Sequence, residues 1–423
     1  MIDSNYILLI FPIVFSYLTY INRSNKMYWP MTIFYAIGGL FGFLLTQLEF
    51  FPYSGNFGRQ EVSFSASVYL LSCFLLLFEP IRRNSLGYTF EGIVDVHKIR
   101  NYCNFYIVVS ILYGITIFPY INIAATAIDA IAYHDEILEN GGLDISGGSS
   151  SLFKIFSFQE MLRPIFIFFF CYIISDRRFS YIYRSLLGAC CIIPTLMHSF
   201  AASQRNTAIF SFIDLFLCFL LFSPQYSKQI RKMVIYVGIV MGAFVALIVI
   251  VFAILRFSDS AGGDLATYSL YRYAGEPVVN FNTMLWGNGE LLYGDKSFNT
   301  FRAFLGFDVT DPGIQRDYYS GLNYTIYYFY SIVGNFYMDF GFWGGILLSL
   351  LVAFSFNLTI NKFFKFNTIT RFSFIYLYVS FTIKNYFYFM FMGSNNILFI
   401  WYCIFVFIIY KTIDKGRINK IAI

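Results

Sequence analysis

Charge is what this chain of 423 residues has least of: Asp, Glu, Lys and Arg together make up 13% of it. A water-soluble domain carries about 25% charged residues. With 58% hydrophobic residues and a mean hydropathy of +0.63, the deficit excludes a single soluble core, because so much apolar surface lacks a polar shell. Histidine is scarcer still, at three residues. The cysteines, Cys73, Cys103, Cys171, Cys190, Cys191, Cys218 and Cys403, all fall in apolar segments. None sits in a loop with metal-ligand spacing, so neither a disulfide framework nor a zinc site is expected. A Walker lysine motif, a dinucleotide glycine fingerprint, HExxH and GxSxG are absent too, so no metal or cofactor is expected. Basic runs are too short for nucleic acid. No internal repeat is visible, which counts against transporter folds made of duplicated halves.

What the chain has in excess is uninterrupted apolar sequence. A bilayer core of about 30 Å takes about 20 apolar residues per helix. Eleven runs approach or meet that length: 5–21, 29–48, 62–80, 101–121, 161–177, 182–201, 206–223, 233–255, 342–360, 372–392 and 397–411. They are continuously apolar rather than alternating, which predicts helices and not barrel strands. The expected fold class is therefore an all-α polytopic integral membrane protein with about 11 transmembrane helices, residues 1–423 forming a single membrane domain. The first residues, Met1-Ile2-Asp3-Ser4-Asn5, lack the basic region and cleavage site of a signal peptide, so the first run is expected to be retained.

Lys and Arg set the orientation. Most of the 29 basic residues fall in alternate loops and in the tail, from Arg23 and Lys26 through Arg177 and Arg178 to Lys415 and Arg417. That side is expected to be cytoplasmic, with the N-terminus outside and the C-terminus cytoplasmic. Two outer segments are long: a shorter loop at 122–160, and a large loop at 256–341 between spans eight and nine, expected to hold short helices.

The basic residues left outside are Arg59, Lys154, Arg163, Arg205, Arg256, Arg272, Lys296, Arg302 and Arg316. Arg205 stands in a very short turn, Ser203-Gln204-Arg205-Asn206, where it either snorkels to lipid headgroups or binds an anion; guanidinium suits phosphate oxygens. Arg272 and Glu276 are four apart and share a face if helical. They make either a structural ion pair or an anion-binding arginine beside a carboxylate base, and Pro277 predicts a helix end at or before Glu276. Arg302 reads as part of an amphipathic interfacial helix. Asp339, before Gly341 and Gly344-Gly345, either caps the ninth span or acts as a base. Asp214 and Lys384 lie within spans, each about 12 Å below the outer surface at ~1.5 Å per residue. Such charges are costly unless paired, so the two are expected to face each other or to share a polar cavity. Tyr318, Tyr319, Tyr324, Tyr327, Tyr328, Tyr330 and Tyr337 read as an interfacial belt, with some available for stacking on sugar rings.

Three segments carry a resemblance: Ser203-Gln204-Arg205-Asn206 opening a span, Tyr273-Ala274-Gly275-Glu276-Pro277 with the 286–298 segment, and Asp339-Phe340-Gly341 with Gly344-Gly345. With the eleven-span layout, the chain resembles the Wzy-type O-antigen and capsule oligosaccharide repeat-unit polymerases. The resemblance implies a metal-independent glycosyltransferase of the GT-C type in the bacterial cytoplasmic (inner) membrane. Such an enzyme moves a growing glycan from undecaprenyl pyrophosphate onto the next lipid-linked repeat unit. Arg205 and Arg272, then Arg256 and Arg302, are the expected pyrophosphate ligands. Glu276, Asp264 and Asp339 are the candidate bases, and His198 is expected to line the same cavity. Implied partners are the undecaprenyl-pyrophosphate-linked donor and acceptor, membrane lipids, a chain-length regulator and a flippase. A lipid-linked oligosaccharide flippase or other transporter, and an O-antigen ligase, remain alternative readings.

Overall fold

In the computed structural model, residues 4–47, 62–84, 95–126, 151–174, 176–201, 206–257, 265–310 and, with short breaks, 318–413 are described. Among them the chain is helical and contains no strand. After a short 3₁₀ turn (Ser4–Leu9) come α1 (Ile10–Ile21), α2 (Tyr28–Thr46), α3 (Phe64–Arg83), α4 (Val96–Thr126), α5 (Ser151–Ile173), α6 (Tyr181–Ala201) and α7 (Asn206–Phe222). They are followed by α8 (Lys228–Phe257), α9 (Leu265–Asn280), α10 (Asn299–Phe304), α11 (Ser331–Phe363), α12 (Ile369–Lys384) and α13 (Asn395–Ile413). Among the described residues, each apolar run of the sequence overlaps a helix. Among the described residues, six helices are long and apolar enough to cross a membrane. The protein is thus an all-α, multi-pass membrane protein by length and composition.

The chain forms two compact units. The first comprises residues 1–86, 257–363 and 381–399, and the second comprises 87–256, 364–380 and 400–423.

In the first unit α2 packs against α1 and α9, and α3 against α11. Between helices in lipid there is little hydrophobic drive, so close packing of small residues decides the association. Gly42 and Gly275 supply it: a Cβ on Gly275 would lie 2.4 Å from the Gly42 nitrogen. Aromatic rings fill the rest. Tyr35 meets Phe74, Phe78 and Tyr386 edge-on at 4.7–4.8 Å between centroids, and its hydroxyl donates to the Thr382 carbonyl at 2.8 Å. Each such ring pair adds about 0.5–1.5 kcal/mol beyond its buried area.

Four details depart from the sequence reading. Helix α9 runs through Pro277 to Asn280 and widens into a π turn at Phe281–Leu285. The preference against a helical residue before proline is weak beside the burial of Val278, Val279 and Phe281. The segment read as a large outer loop is therefore in part a helix laid along α2. Helix α5 begins at Ser151, ten residues before the expected span. Helix α12 ends at Lys384 rather than continuing to 392, because the turn that follows is taken by other backbone: Ile332 N–H donates to the Asn385 carbonyl and Ser331 N–H to the Phe387 carbonyl. Lys384 therefore sits in the last turn of its helix, where the dipole favours a cation. Finally, α11 bends at Gly341 (φ 67°, ψ −157°), a conformation open essentially to glycine alone.

Candidate functional site

The first unit brings together two groups of the expected site residues. On α9 the sequence spacing works as geometry: Arg272 and Glu276 are one turn apart and their charged groups meet at 3.6 Å. Little of either side chain reaches solvent, 12% of Arg272 and 3% of Glu276. The close approach at Gly275 fixes their helix against α2, and Tyr386 locks it further by donating its hydroxyl to the Ala274 carbonyl at 2.7 Å. Tyr271 stacks on Phe41 of α2. Beyond the π turn, Trp286 stacks on Tyr337, with Tyr69 and Phe281 parallel to each other beside them. The arrangement offers a guanidinium and a carboxylate held by rigid helices, close to a bank of rings.

The second group gathers around residues 290–310. Asp339, fully buried, receives the backbone N–H of Lys296 on one oxygen (3.0 Å) and that of Ser297 on the other (2.9 Å). Its carboxylate is thereby committed to holding the loop. Asp339 lies two residues before the break at Gly341, which separates two helical stretches of α11. Asp295 accepts from the Tyr319 hydroxyl at 2.8 Å and from the Thr310 N–H at 3.1 Å. The Lys296 ammonium lies 5.5 Å above the Tyr319 ring. Burial pushes that ammonium down to about 8, with Asp339 and Asp295 opposing the shift. Burial, then the bond to Asp295, drives the Tyr319 phenol upward.

Arg302 is on a short helix, as expected, but its guanidinium closes the loop by donating to the Leu292 carbonyl (2.9 Å) and the Asp308 carbonyl (2.9 Å). It acts as a clasp on the loop. The tyrosines are also more structural than interfacial. Tyr319, Tyr324, Tyr330 and Tyr337 are buried, and only Tyr318 of those described is exposed. Their hydroxyls serve local partners, such as the Glu290 carbonyl for Tyr324 and the Gly287 N–H for Tyr337. Tyr327 and Tyr328 lie outside the described residues, as do Arg205, Asp264 and the side chain of Arg256.

The second unit holds polar contacts that sequence reasoning found only in part. Arg163, counted among the outer basic residues, is buried within α5 and paired with Glu160. Its guanidinium also donates to Thr195 of α6 at 2.8 Å. His198 of α6 contacts the Tyr113 hydroxyl of α4 through Nδ1. Asp214 of α7 is fully buried and accepts from the Ser380 hydroxyl. Its expected companion Lys384, also buried, belongs to the first unit. Glu160 was missed; the signal was its place one turn before Arg163, with Gln159 beside it, ahead of a phenylalanine-rich run.

Among the described residues, no three His, Cys, Asp or Glu side chains converge as a metal site. All seven cysteines are unpaired, and all but Cys403 are buried. No known family, curated protein or solved structure matches the chain.

Proposed function

We propose that this chain is a membrane glycosyltransferase that polymerises polyprenyl-pyrophosphate-linked oligosaccharide repeat units, as O-antigen and capsule polymerases do, at the outer face of a bacterial cytoplasmic membrane. The reading includes eleven spans with the N-terminus outside. One observation carries it: the Arg272–Glu276 pair, shielded on a helix of the long 256–341 segment and backed by the close α2–α9 contact.

The chemistry follows from that pair. A pyrophosphate leaving group gains negative charge as the sugar–oxygen bond breaks, and a fixed guanidinium stabilises that charge best where water is scarce. Arg272 takes this role, with Arg205 as a second ligand. Glu276 holds the guanidinium in its empty state. When pyrophosphate displaces it, Glu276 is released to accept the proton of the acceptor hydroxyl. Asp339 and Arg302 shape the adjoining loop, and the Trp286 ring is half-buried where a sugar face can meet it.

The test is a gel of the surface glycan in a strain deleted for the gene and complemented with variants. Deletion leaves a single repeat unit attached, whereas loss of a flippase removes surface glycan altogether. R272A and R205A each abolish the ladder, an effect of ~100-fold or more on transfer. R272K, which lacks the planar fork, does not restore it. A normal ladder from R272A at wild-type protein level refutes the assignment.

A further inference from the structure

Between Leu292 and Asp308 the first unit carries a segment built inside out for contact with water, and the proposed transfer chemistry gives its outward side chains no role. Its polar groups turn inward. Asp295 and Ser297 are buried, the Lys296 amide donates to Asp339, and the Arg302 guanidinium is taken by the Leu292 and Asp308 carbonyls. Its apolar side chains turn outward: Tyr293 is 69% exposed, Phe304 87%, Leu305 69% and Phe307 60%. A loop in water shows the opposite distribution, and grouped exposed apolar side chains mark an interaction surface.

The backbone holds this arrangement in place. Tyr293 has φ 50°, a left-handed conformation uncommon for a bulky residue. Two bonds to α11 keep it there, from the Leu292 N–H to the Met338 carbonyl (3.0 Å) and from the Tyr293 N–H to the Asp339 carbonyl (2.8 Å). Helix α10 ends in a Schellman turn. Gly306 has φ 81° and donates its N–H to the Ala303 carbonyl at 3.1 Å, while the Phe307 N–H reaches the Arg302 carbonyl at 3.0 Å. An apolar residue at the place of Phe307 commonly tucks against the last helical turn. Here it stays out, as Phe304 and Leu305 do.

The occupant of this surface follows from α11. Past Gly341 its exposed side chains Trp343, Leu347, Leu350, Phe354 and Leu358 recur every three or four residues, forming one apolar face of a helix long enough to cross a membrane. In a membrane-spanning helix such a face belongs to lipid, and Trp343 at its start suits the boundary level that tryptophan favours. The inside-out segment is seated at that start. Phe298 stacks on Phe336 at 6.1 Å between ring centroids and lies 6.2 Å from Phe340, which is itself exposed. The Lys296 and Ser297 amides bind Asp339, four residues before Trp343. The apolar tip therefore continues the lipid-facing stripe of α11 at its boundary end. Asp308, exposed, closes the apolar run and limits insertion to a shallow layer. We infer that Tyr293, Phe304, Leu305 and Phe307 form an anchor that inserts into the bilayer surface, between headgroups and acyl chains, at the Trp343 end of α11. Interfacial elements insert their apolar face in this way, about 5–10 Å into the boundary. Insertion sets the depth of the loop that Asp339 and Arg302 hold together.

The test uses the full chain in lipid nanodiscs, in a C403S background that removes the exposed thiol and leaves the buried ones. A bimane fluorophore is attached through L305C, through L347C on the α11 stripe, or through E290C, where Glu290 is exposed beside the polar stretch Gly287-Asn288-Gly289. Lipids carrying doxyl on the acyl chain quench from within the membrane, and iodide quenches from water. Doxyl quenching is expected to be at least threefold stronger for L305C than for E290C, and iodide quenching at least threefold weaker. L347C is the reference for lipid exposure. Should L305C fail to fold, F304C carries the same measurement. Iodide quenching of L305C equal to that of E290C overturns the anchor. Protection of L305C from both quenchers also overturns it, being the mark of a protein partner or a second copy on this surface. Lipid quenching of L347C but not of L305C overturns the anchor alone, whereas its absence in both refutes the span as well.

Discussion

Substituting Gly275 by alanine tests the contact that positions the Arg272–Glu276 pair. The new methyl carbon would lie 2.4 Å from the Gly42 nitrogen, 2.5 Å from the Phe41 carbonyl carbon and 2.6 Å from Gly42 Cα. All three are backbone atoms, so no rotamer change relieves them. Contacts of this kind need roughly 3.5 Å, so α9 must withdraw from α2 by about 1 Å. A gap of that size forfeits about a quarter to a half of each contact across it, including those of the buried Val278 and Val279. Overpacking of a tight interior costs about 1–3 kcal/mol, and replacing glycine inside a helix returns about 1 kcal/mol. The expected net loss is therefore at most about 2 kcal/mol. Gly42 is the control, because its added carbon would meet the Gly275 carbonyl oxygen at 3.4 Å and Val278 and Val279 at 3.7 Å. G42A should therefore be close to neutral. Tryptophan fluorescence during thermal unfolding in detergent measures both, since Trp29, Trp286 and Trp343 all belong to the first unit. G275A should unfold several degrees lower and lose transfer activity as Arg272 shifts. Equal unfolding temperatures, or a larger loss in G42A, would refute the close-contact argument.

Three further outcomes follow from the same geometry. D339A removes the acceptor of two buried N–H groups, each bond to a charged group contributing about 1.5–3 kcal/mol; limited proteolysis should cut within 295–310 in D339A, and less readily in D339N, which keeps one acceptor. Lys296 is held near 8 against 10.5 for the free side chain, so between those values the unfolded chain binds more protons and stability from this residue rises with pH. Unfolding temperature followed from pH 7.5 to 10 should show that rise in the wild type, and K296M should flatten it. E276Q, with the Arg272 partner neutralised but its shape kept, should retain the fold and lose transfer by ~100-fold, within the range for removing a general base; unchanged transfer would leave Glu276 as a structural partner alone.

The sequence by itself determined the helices and their environment. Low charge and eleven continuous apolar runs left no alternative to an all-α membrane fold, since a helix satisfies its own backbone hydrogen bonds in lipid. It also determined local pairs: the four-residue spacing of Arg272 and Glu276 is a property of helix pitch. What tertiary structure decided was which polar groups are already occupied. Asp339 and Arg302 read as reactive because their types suit catalysis and anion binding, yet one holds two loop amides and the other two loop carbonyls. Those partners are 42 or 43 residues away for Asp339 and 10 or 6 for Arg302, in backbone that carries no side-chain signature. The tyrosines misled similarly, because a hydroxyl suited to the membrane interface suits a buried carbonyl equally well. Arg163 was hidden by position, the helix around it starting ten residues before hydropathy rises. Periodicity records which residues share a face, and only packing of α4, α5 and α6 records which faces meet; for that reason the polar contacts between helices of the second unit become visible only in three dimensions.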